Sequence, residues 1–254
     1  MSKKTVNSKK VYMDICYMDF NDQYHILEKE YPGIRLELSQ IPGTNCYCDD
    51  EAKKTIRKQM EQVPMECRVH FLDSGNYHYL TLLWLERIRE PFSLVMMDHH
   101  PDYKEAAFGG ITSCGGWVRE ALETFPNLKR VYLGGVDSEL IQQLQPLSHR
   151  ITLFDIHTPL TELIEPQEGP FYISLDKDVM GEEYARTDWT QGAVTLQEVM
   201  RRLEEIYTQK KVLGVDICGE KKENPSVEDQ TINEATNRVL LHQLLEKKII
   251  GKGK

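Results

Sequence analysis

Eight short apolar runs recur along the chain, each followed by a stretch with helical or loop character. They lie at Lys10–Tyr17, Ile34–Leu38, Arg68–Asp73, Phe92–Asp98, Lys129–Gly134, Arg150–Asp155, Phe171–Asp176 and Val212–Ile217. Several read almost without polar interruption, as in VYMDICY, FSLVMMD and VLGVDI. A strand with one wet face alternates; a near-continuous run belongs to a parallel sheet covered on both faces. The helical stretches supply the covers. Asp49–Val63 is amphipathic and opens on Asp49, Asp50 and Glu51, acids that suit a helix N-terminus. Tyr77–Arg89 carries a stripe of Leu80, Leu83, Trp84 and Ile88. Thr195–Tyr207 begins with a capping box, Thr195 and Glu198. Glu228–Lys248 predicts a long closing helix, apolar at Ile232, Ala235, Val239, Leu240 and Leu244. This order predicts a three-layer α/β/α fold with a mostly parallel sheet of about eight strands. No repeat or linker divides it, so residues 1–254 read as a single domain, with 1–9 and 249–254 as flexible tails. Ligands of such sheets bind beyond the carboxyl ends of the strands.

Composition narrows the partners. Hydrophobic residues at 40% and charged residues at 28% are globular values, which excludes a mainly disordered chain. A formal charge of -9 disfavours nucleic acid or an anionic membrane, and permits a carboxylate-rich cation site. The longest strongly apolar run, near Leu80–Leu85, is far short of the ~20 residues of a membrane helix. The opening MSKKTVNSKK lacks the apolar core of a secretory signal. Six scattered cysteines do not form a disulfide framework, so a reducing, cytoplasmic setting is expected.

Three strand ends carry the chemistry. One runs Asp98-His99-His100-Pro101-Asp102, a second Ser174-Leu175-Asp176-Lys177-Asp178, and a third Asp73-Ser74-Gly75-Asn76-Tyr77-His78. In extended backbone, residues two apart share a side, so each end can present its ligands as a cluster. Four converging carboxylates repel one another unless cations neutralise them. Two divalent ions would balance Asp98, Asp102, Asp176 and Asp178, with His78 and His100 each adding a nitrogen. Oxygen-dominated sites with a minority of imidazole suit manganese better than zinc. The bland readings are also open. The acids can be loop or cap residues, His78 a packed helix-start histidine, and Cys114 a small buried thiol rather than a nucleophile. Cys46-x-Cys48 lacks the second pair of a zinc site. Glu220 is either a substrate carboxylate or a surface residue before Lys221-Lys222.

Asp-x-His-x-Asp, Ser-x-Asp-x-Asp and an upstream Gly-containing loop ending in His resemble the metal motifs of the arginase/agmatinase (ureohydrolase) family. The resemblance spans about Val11 to Leu245, and VYLGGVDSELIQQL and VLGVDICGE look like later strands of that fold. It implies one manganese on His78, Asp98, Asp102 and Asp176, and a second on His100, Asp98, Asp176 and Asp178. It further implies a metal-bridging hydroxide that attacks a trigonal carbon of a small amidine, guanidine or amide, with Asp178 as its hydrogen-bond acceptor or proton shuttle. Arginase-like proteins are often multimers, which leaves a homo-oligomer open. Several parts depart from the pattern. Ser74–His78 stands in place of Gly-Gly-Asp-His. Ser113-Cys114-Gly115-Gly116 occupies the region of the arginase proton-shuttle His. Glu220 follows Asp216 at four residues rather than three. Val179–Gly192 is short and carries Arg186, Asp188 and Trp189. Water, Ser113 or Glu220 are then the candidates to protonate the leaving nitrogen. Two alternatives stand beside this reading: a single-zinc amide deacetylase-like enzyme, and a metal-stabilised binding module without activity.

Overall fold

The structure, a computed structural model, describes residues 14–106, 108–144 and 146–246. The predicted tails and residues 10–13 of the first predicted strand lie outside them. Ten strands are described: β1 (Ile15–Asp19), β2 (Ile34–Glu37), β3 (Tyr47–Cys48), β4 (Val69–Phe71), β5 (Phe92–Met97), β6 (Thr112–Ser113), β7 (Leu128–Gly134), β8 (Ile151–Phe154), β9 (Phe171–Asp176) and β10 (Val212–Cys218). The helices are α1 (His25–Glu30), α2 (Asp50–Met60), α3 (Thr81–Leu85), α4 (Trp117–Thr124), α5 (Ser138–Gln143), α6 (Leu196–Gln209) and α7 (Val227–Glu246). Eight strands form one sheet in the order β2-β1-β4-β10-β9-β5-β7-β8, and every neighbouring pair is parallel. The eight predicted strands are these eight. The remaining two, β3 and β6, make a short antiparallel ribbon that no apolar run announced.

The continuous apolar runs are explained by the two cores. Successive residues of a strand point to opposite faces. Thus Leu94 and Met96 of β5 join one apolar cluster, with Ile56 of α2, Leu82 of α3 and Val118 of α4. Val95 and Met97 join the other, with Leu27 of α1, Val199 of α6 and Leu240 of α7. Neither face of the central strands meets water, so neither needs polar positions.

Two elements differ from expectation. Tyr77–Arg89 was predicted as one helix, but a 3-10 turn over Gly75–Leu80 precedes the short α3. The Ser74 side chain caps that turn by accepting from the Asn76 N–H, and every residue of the turn is buried. Helix α7 buries a different face from the predicted stripe. Val239 is exposed, while Asn233, Thr236 and Asn237 are buried with Leu240, Leu241 and Leu244. Its first half is docked by hydrogen bonds rather than by apolar packing. Asn233 donates to the Arg186 carbonyl and accepts from the Arg186 N–H, and Thr236 donates to the Tyr184 carbonyl. An apolar-periodicity reading places the buried face only where burial is apolar.

The capping box of α6 forms as predicted. Thr195 accepts from the Glu198 N–H and Glu198 from the Thr195 N–H. Thr195→Ala removes one half of that exchange. We expect a loss of about 0.5–2 kcal/mol, read from the urea midpoint at unchanged slope.

Candidate metal centre

The carboxyl ends of β4, β10, β9 and β5, neighbours at the middle of the sheet, bring the site together. β5 delivers Asp98, then His100 and Asp102. β9 delivers Asp176, and the turn beyond it Asp178. His78 arrives from the 3-10 turn after β4. All six predicted ligand positions meet here. His78 Nδ1 lies 3.0 Å from Asp102 Oδ2, 3.2 Å from Asp98 Oδ2 and 3.6 Å from Asp176 Oδ2. His100 Nδ1 lies 2.8 Å from Asp178 Oδ2 and 3.6 Å from Asp98 Oδ1. The two oxygens of Asp98 therefore face different histidines. The donor atoms fall into overlapping groups, His78–Asp98–Asp102 and Asp98–His100–Asp178, each tight enough to hold a cation.

The chemistry of His78 tests whether a metal fits. Its Nε2 lies 2.8 Å from Ser174 Oγ. With Nε2–H donating to Ser174, Nδ1 presents a lone pair to three carboxylates. That atom is buried and has no hydrogen-bond partner. Lone pair facing lone pairs is repulsive unless a positive charge sits among them. The donor set and its spacing thus fit a divalent cation, and a partner on the far ring nitrogen is the usual orienting contact of a metal-bound histidine. On His100 the Nε2 lies 3.0 Å from Thr190 Oγ1, while Nδ1 is hydrogen-bonded to Asp178 Oδ2 at 2.8 Å.

Electrostatics without a cation point the same way. Burial holds the Asp102 and Asp176 carboxyls above their usual range. Burial and the neighbouring Asp98 charge push Asp178 up to about 6. Burial opposes a charge on His100, but hydrogen bonds to Asp178 and Asp98 outweigh it and push His100 up to about 11. The cluster holds protons where cations would otherwise stand.

The surrounding backbone is shaped to these groups. Gly219 has φ +95°, and a Cβ there would lie 2.5 Å from Asp176 Oδ1. Asp73 accepts from the N–H groups of Phe20 and Asn21, and its carbonyl accepts from Gly219 and Glu220, which ties the ends of β1, β4 and β10 together. Asp102, at a left-handed φ of 45°, accepts from Trp117 Nε1 at 2.7 Å.

Glu220, read from the sequence as either a substrate carboxylate or a surface residue, is neither exposed nor among the residues lining the pocket. It is buried and pairs with the Lys177 ammonium at 2.6 Å, with Asn237 of α7 donating to the same oxygen at 2.7 Å. Lys177 is fully buried between the two candidate ligands of its motif, and Glu220 balances its charge. Asp216 is turned away too, accepting from Tyr172 and bonded to His70. Ser113 lines the pocket, a cavity of about 290 Å³. Pro101, Leu140, Leu144 and Trp189 form its apolar walls, and Lys104 reaches it.

Sequence reasoning missed Cys218, whose thiol donates to Asp176 Oδ2 at 3.1 Å and completes a third group with His78. The register pairs Cys218 with Asp176, so only knowledge that β10 lies beside β9 exposes it. Ser174 was visible in the motif but not as a partner of His78. Trp189 is anchored over the pocket by its Nε1, which donates to Asn76 Oδ1 at 2.9 Å.

No family model matches the chain. An uncharacterized protein of Thermotoga maritima is 34% identical over 158 residues, 62% of this chain and 60% of that protein. The match thus spans less than two thirds of that relative. Among solved structures, proclavaminate amidino hydrolase of Streptomyces clavuligerus superposes with TM-score 0.65 at 17% identity, covering 89% of this chain and 78% of the other. Agmatine ureohydrolase of Thermoplasma volcanium gives TM-score 0.63 at 14% identity, over 98% and 97%. Arginase of Bacillus cereus gives 0.59 at 14% identity, over 94% and 98%. The chain has the arginase fold. No helix among the described residues is long and apolar enough to cross a membrane.

Three outcomes follow for the protein itself. Saturating manganese should raise the melting temperature of the wild type and leave Asp98→Asn unmoved; at a hundredfold excess over the dissociation constant the gain is about 2.7 kcal/mol. Ser174→Ala should weaken that binding about 10–100-fold by calorimetric titration. Lys177→Met strands a buried carboxylate and should cost about 3–5 kcal/mol in urea unfolding, largely recovered in Lys177→Met/Glu220→Leu.

Proposed function

We propose that this protein is a divergent ureohydrolase, a hydrolase of a non-peptide C–N bond that works with two divalent cations, manganese foremost. The observation that carries the reading is the split of Asp98, one oxygen toward His78 and the other toward His100, which gives two donor groups with a shared member. His78, Asp98, Asp102 and Asp176 would hold one cation, and His100, Asp98, Asp176 and Asp178 the other. When bound, the pair supplies Lewis acidity and a nucleophile drawn from water at neutral pH.

The residues of the chain do the rest. Asp178 is held by the His99 N–H on Oδ1, so its orientation is fixed while Oδ2 faces His100 and the pocket. It is the group placed to take a proton from the attacking water. Ser113 and water are the relay candidates toward the leaving nitrogen; Glu220 drops out because Lys177 and Asn237 occupy it. The apolar walls exclude water and seat an aliphatic segment of substrate.

The pocket lining also favours one part of the substrate range. Its acids are Asp98, Asp102, Asp176 and Asp178, all candidate ligands, and its cation is Lys104. A guanidinium has no spare carboxylate to meet there. A neutral amide, with an acidic group toward Lys104, matches the charges better.

The decisive experiment loads purified protein with manganese and assays release of ammonia, urea or amine from a panel of linear amides, amidines and guanidines. We expect turnover on at least one neutral or acidic member, with two metal ions per chain by elemental analysis. Asp98→Asn should abolish turnover while the fold, by circular dichroism, stays intact. One zinc per chain would point instead to the single-metal deacetylase reading. Full metal loading without turnover on any panel member would point to a binding module.

A further inference from the structure

The ribbon β3–β6 brings two cysteines to one rung beside the pocket. Its register pairs Tyr47 with Ser113 and Cys48 with Thr112, so the next rung is Cys46 opposite Cys114. The Cys114 N–H donates to the Cys46 carbonyl at 2.9 Å, so the pairing continues one residue past the ribbon. Residues facing each other across an antiparallel pair have Cα atoms about 4.5–5.5 Å apart. A disulfide spans Cα distances of about 4.4–6.8 Å. The two thiols influence one another's ionisation, as neighbours on one rung would. Both residues line the cavity of about 290 Å³ over the metal centre.

From this juxtaposition we infer that Cys46 and Cys114 are a redox-active pair, oxidised to an intramolecular disulfide across the pocket rim by a hydroperoxide. Cys46 is the attacking member. It is half-buried whereas Cys114 is buried, and the other four cysteines are buried. The neighbouring Cys114 thiol and the nearby Lys222 charge bring its thiol down to about 7, so a useful share is thiolate at neutral pH. Burial raises Cys16, Cys48, Cys67 and Cys218 instead. The Cys46 thiolate attacks the peroxide O–O bond, leaving a sulfenic acid and one hydroxide, which a proton converts to water. The Cys114 sulfur then attacks the sulfenic sulfur, forming the S–S bond and releasing a second water. Two thiols lose two electrons and the peroxide gains them. The bond would staple β3 to β6 and stiffen the wall that carries Ser113. This inference stands apart from the proposed hydrolase activity, since it needs only the ribbon and the peroxide.

The test treats folded full-length protein with a small excess of hydrogen peroxide, blocks free thiols with iodoacetamide and maps the peptides by mass spectrometry. We expect one cross-linked species joining the Cys46 and Cys114 peptides, loss of two alkylatable thiols per chain, and full reversal by dithiothreitol. In Cys114→Ser, Cys46 should instead accumulate as a sulfenic acid trapped by dimedone. Alkylation of both cysteines in the oxidised wild type, or a disulfide from Cys46 to another cysteine or a second chain, would overturn the inference. The wild-type map decides the question even where the variant fails to fold.

Discussion

Four carboxylates in a volume this small are the constraint on which the rest of the structure depends. Asp98, Asp102, Asp176 and Asp178 are all nearly or fully out of water, and burial raises the carboxyls of Asp102, Asp176 and Asp178. The chain answers in two ways. It places an imidazole against each half of the cluster, and it leaves the donor atoms of each half around a common point. The first answer gives the acids partners within the chain; the second leaves donor groups of the kind that could hold a cation. The left-handed backbone at Asp102, the forced glycine at Gly219 and the indole of Trp117 are costs met elsewhere in the fold to keep that geometry.

The buried Lys177 shows the same problem one layer out. A lysine between two ligand aspartates adds a positive charge that needs its own partner, and the buried Glu220 supplies it. That pairing removes Glu220 from the pocket and leaves the lining without a carboxylate beyond the candidate ligands. Charge balance thus links Lys177, which lies between two candidate ligands, to the position of Glu220 away from the pocket.

Much of this was legible in the sequence. The eight sheet strands were readable because burial on both faces writes itself as unbroken apolar runs, and the convergence of the acidic and imidazole groups was readable because a strand end imposes spacing of two. What was not legible depended on neighbours across the sheet. Cys218 meets Asp176 only because β10 pairs with β9, and Ser174 meets His78 only because the turn after β4 folds over β9. Cys46 and Cys114, far apart in the chain, share a rung of a ribbon too short to leave a pattern. Helix α7 misled for a related reason. Its inner face is asparagine and threonine, whose partners are backbone groups of a loop that periodicity cannot see.

The polar docking of α7 has a consequence for how the protein is built. Asn237 follows every candidate ligand in the chain, and it secures the glutamate that neutralises the lysine between Asp176 and Asp178. The ammonium between the two acids is fully partnered only when α7 is seated, so the carboxyl end of the sheet and the docking of α7 are coupled in folding.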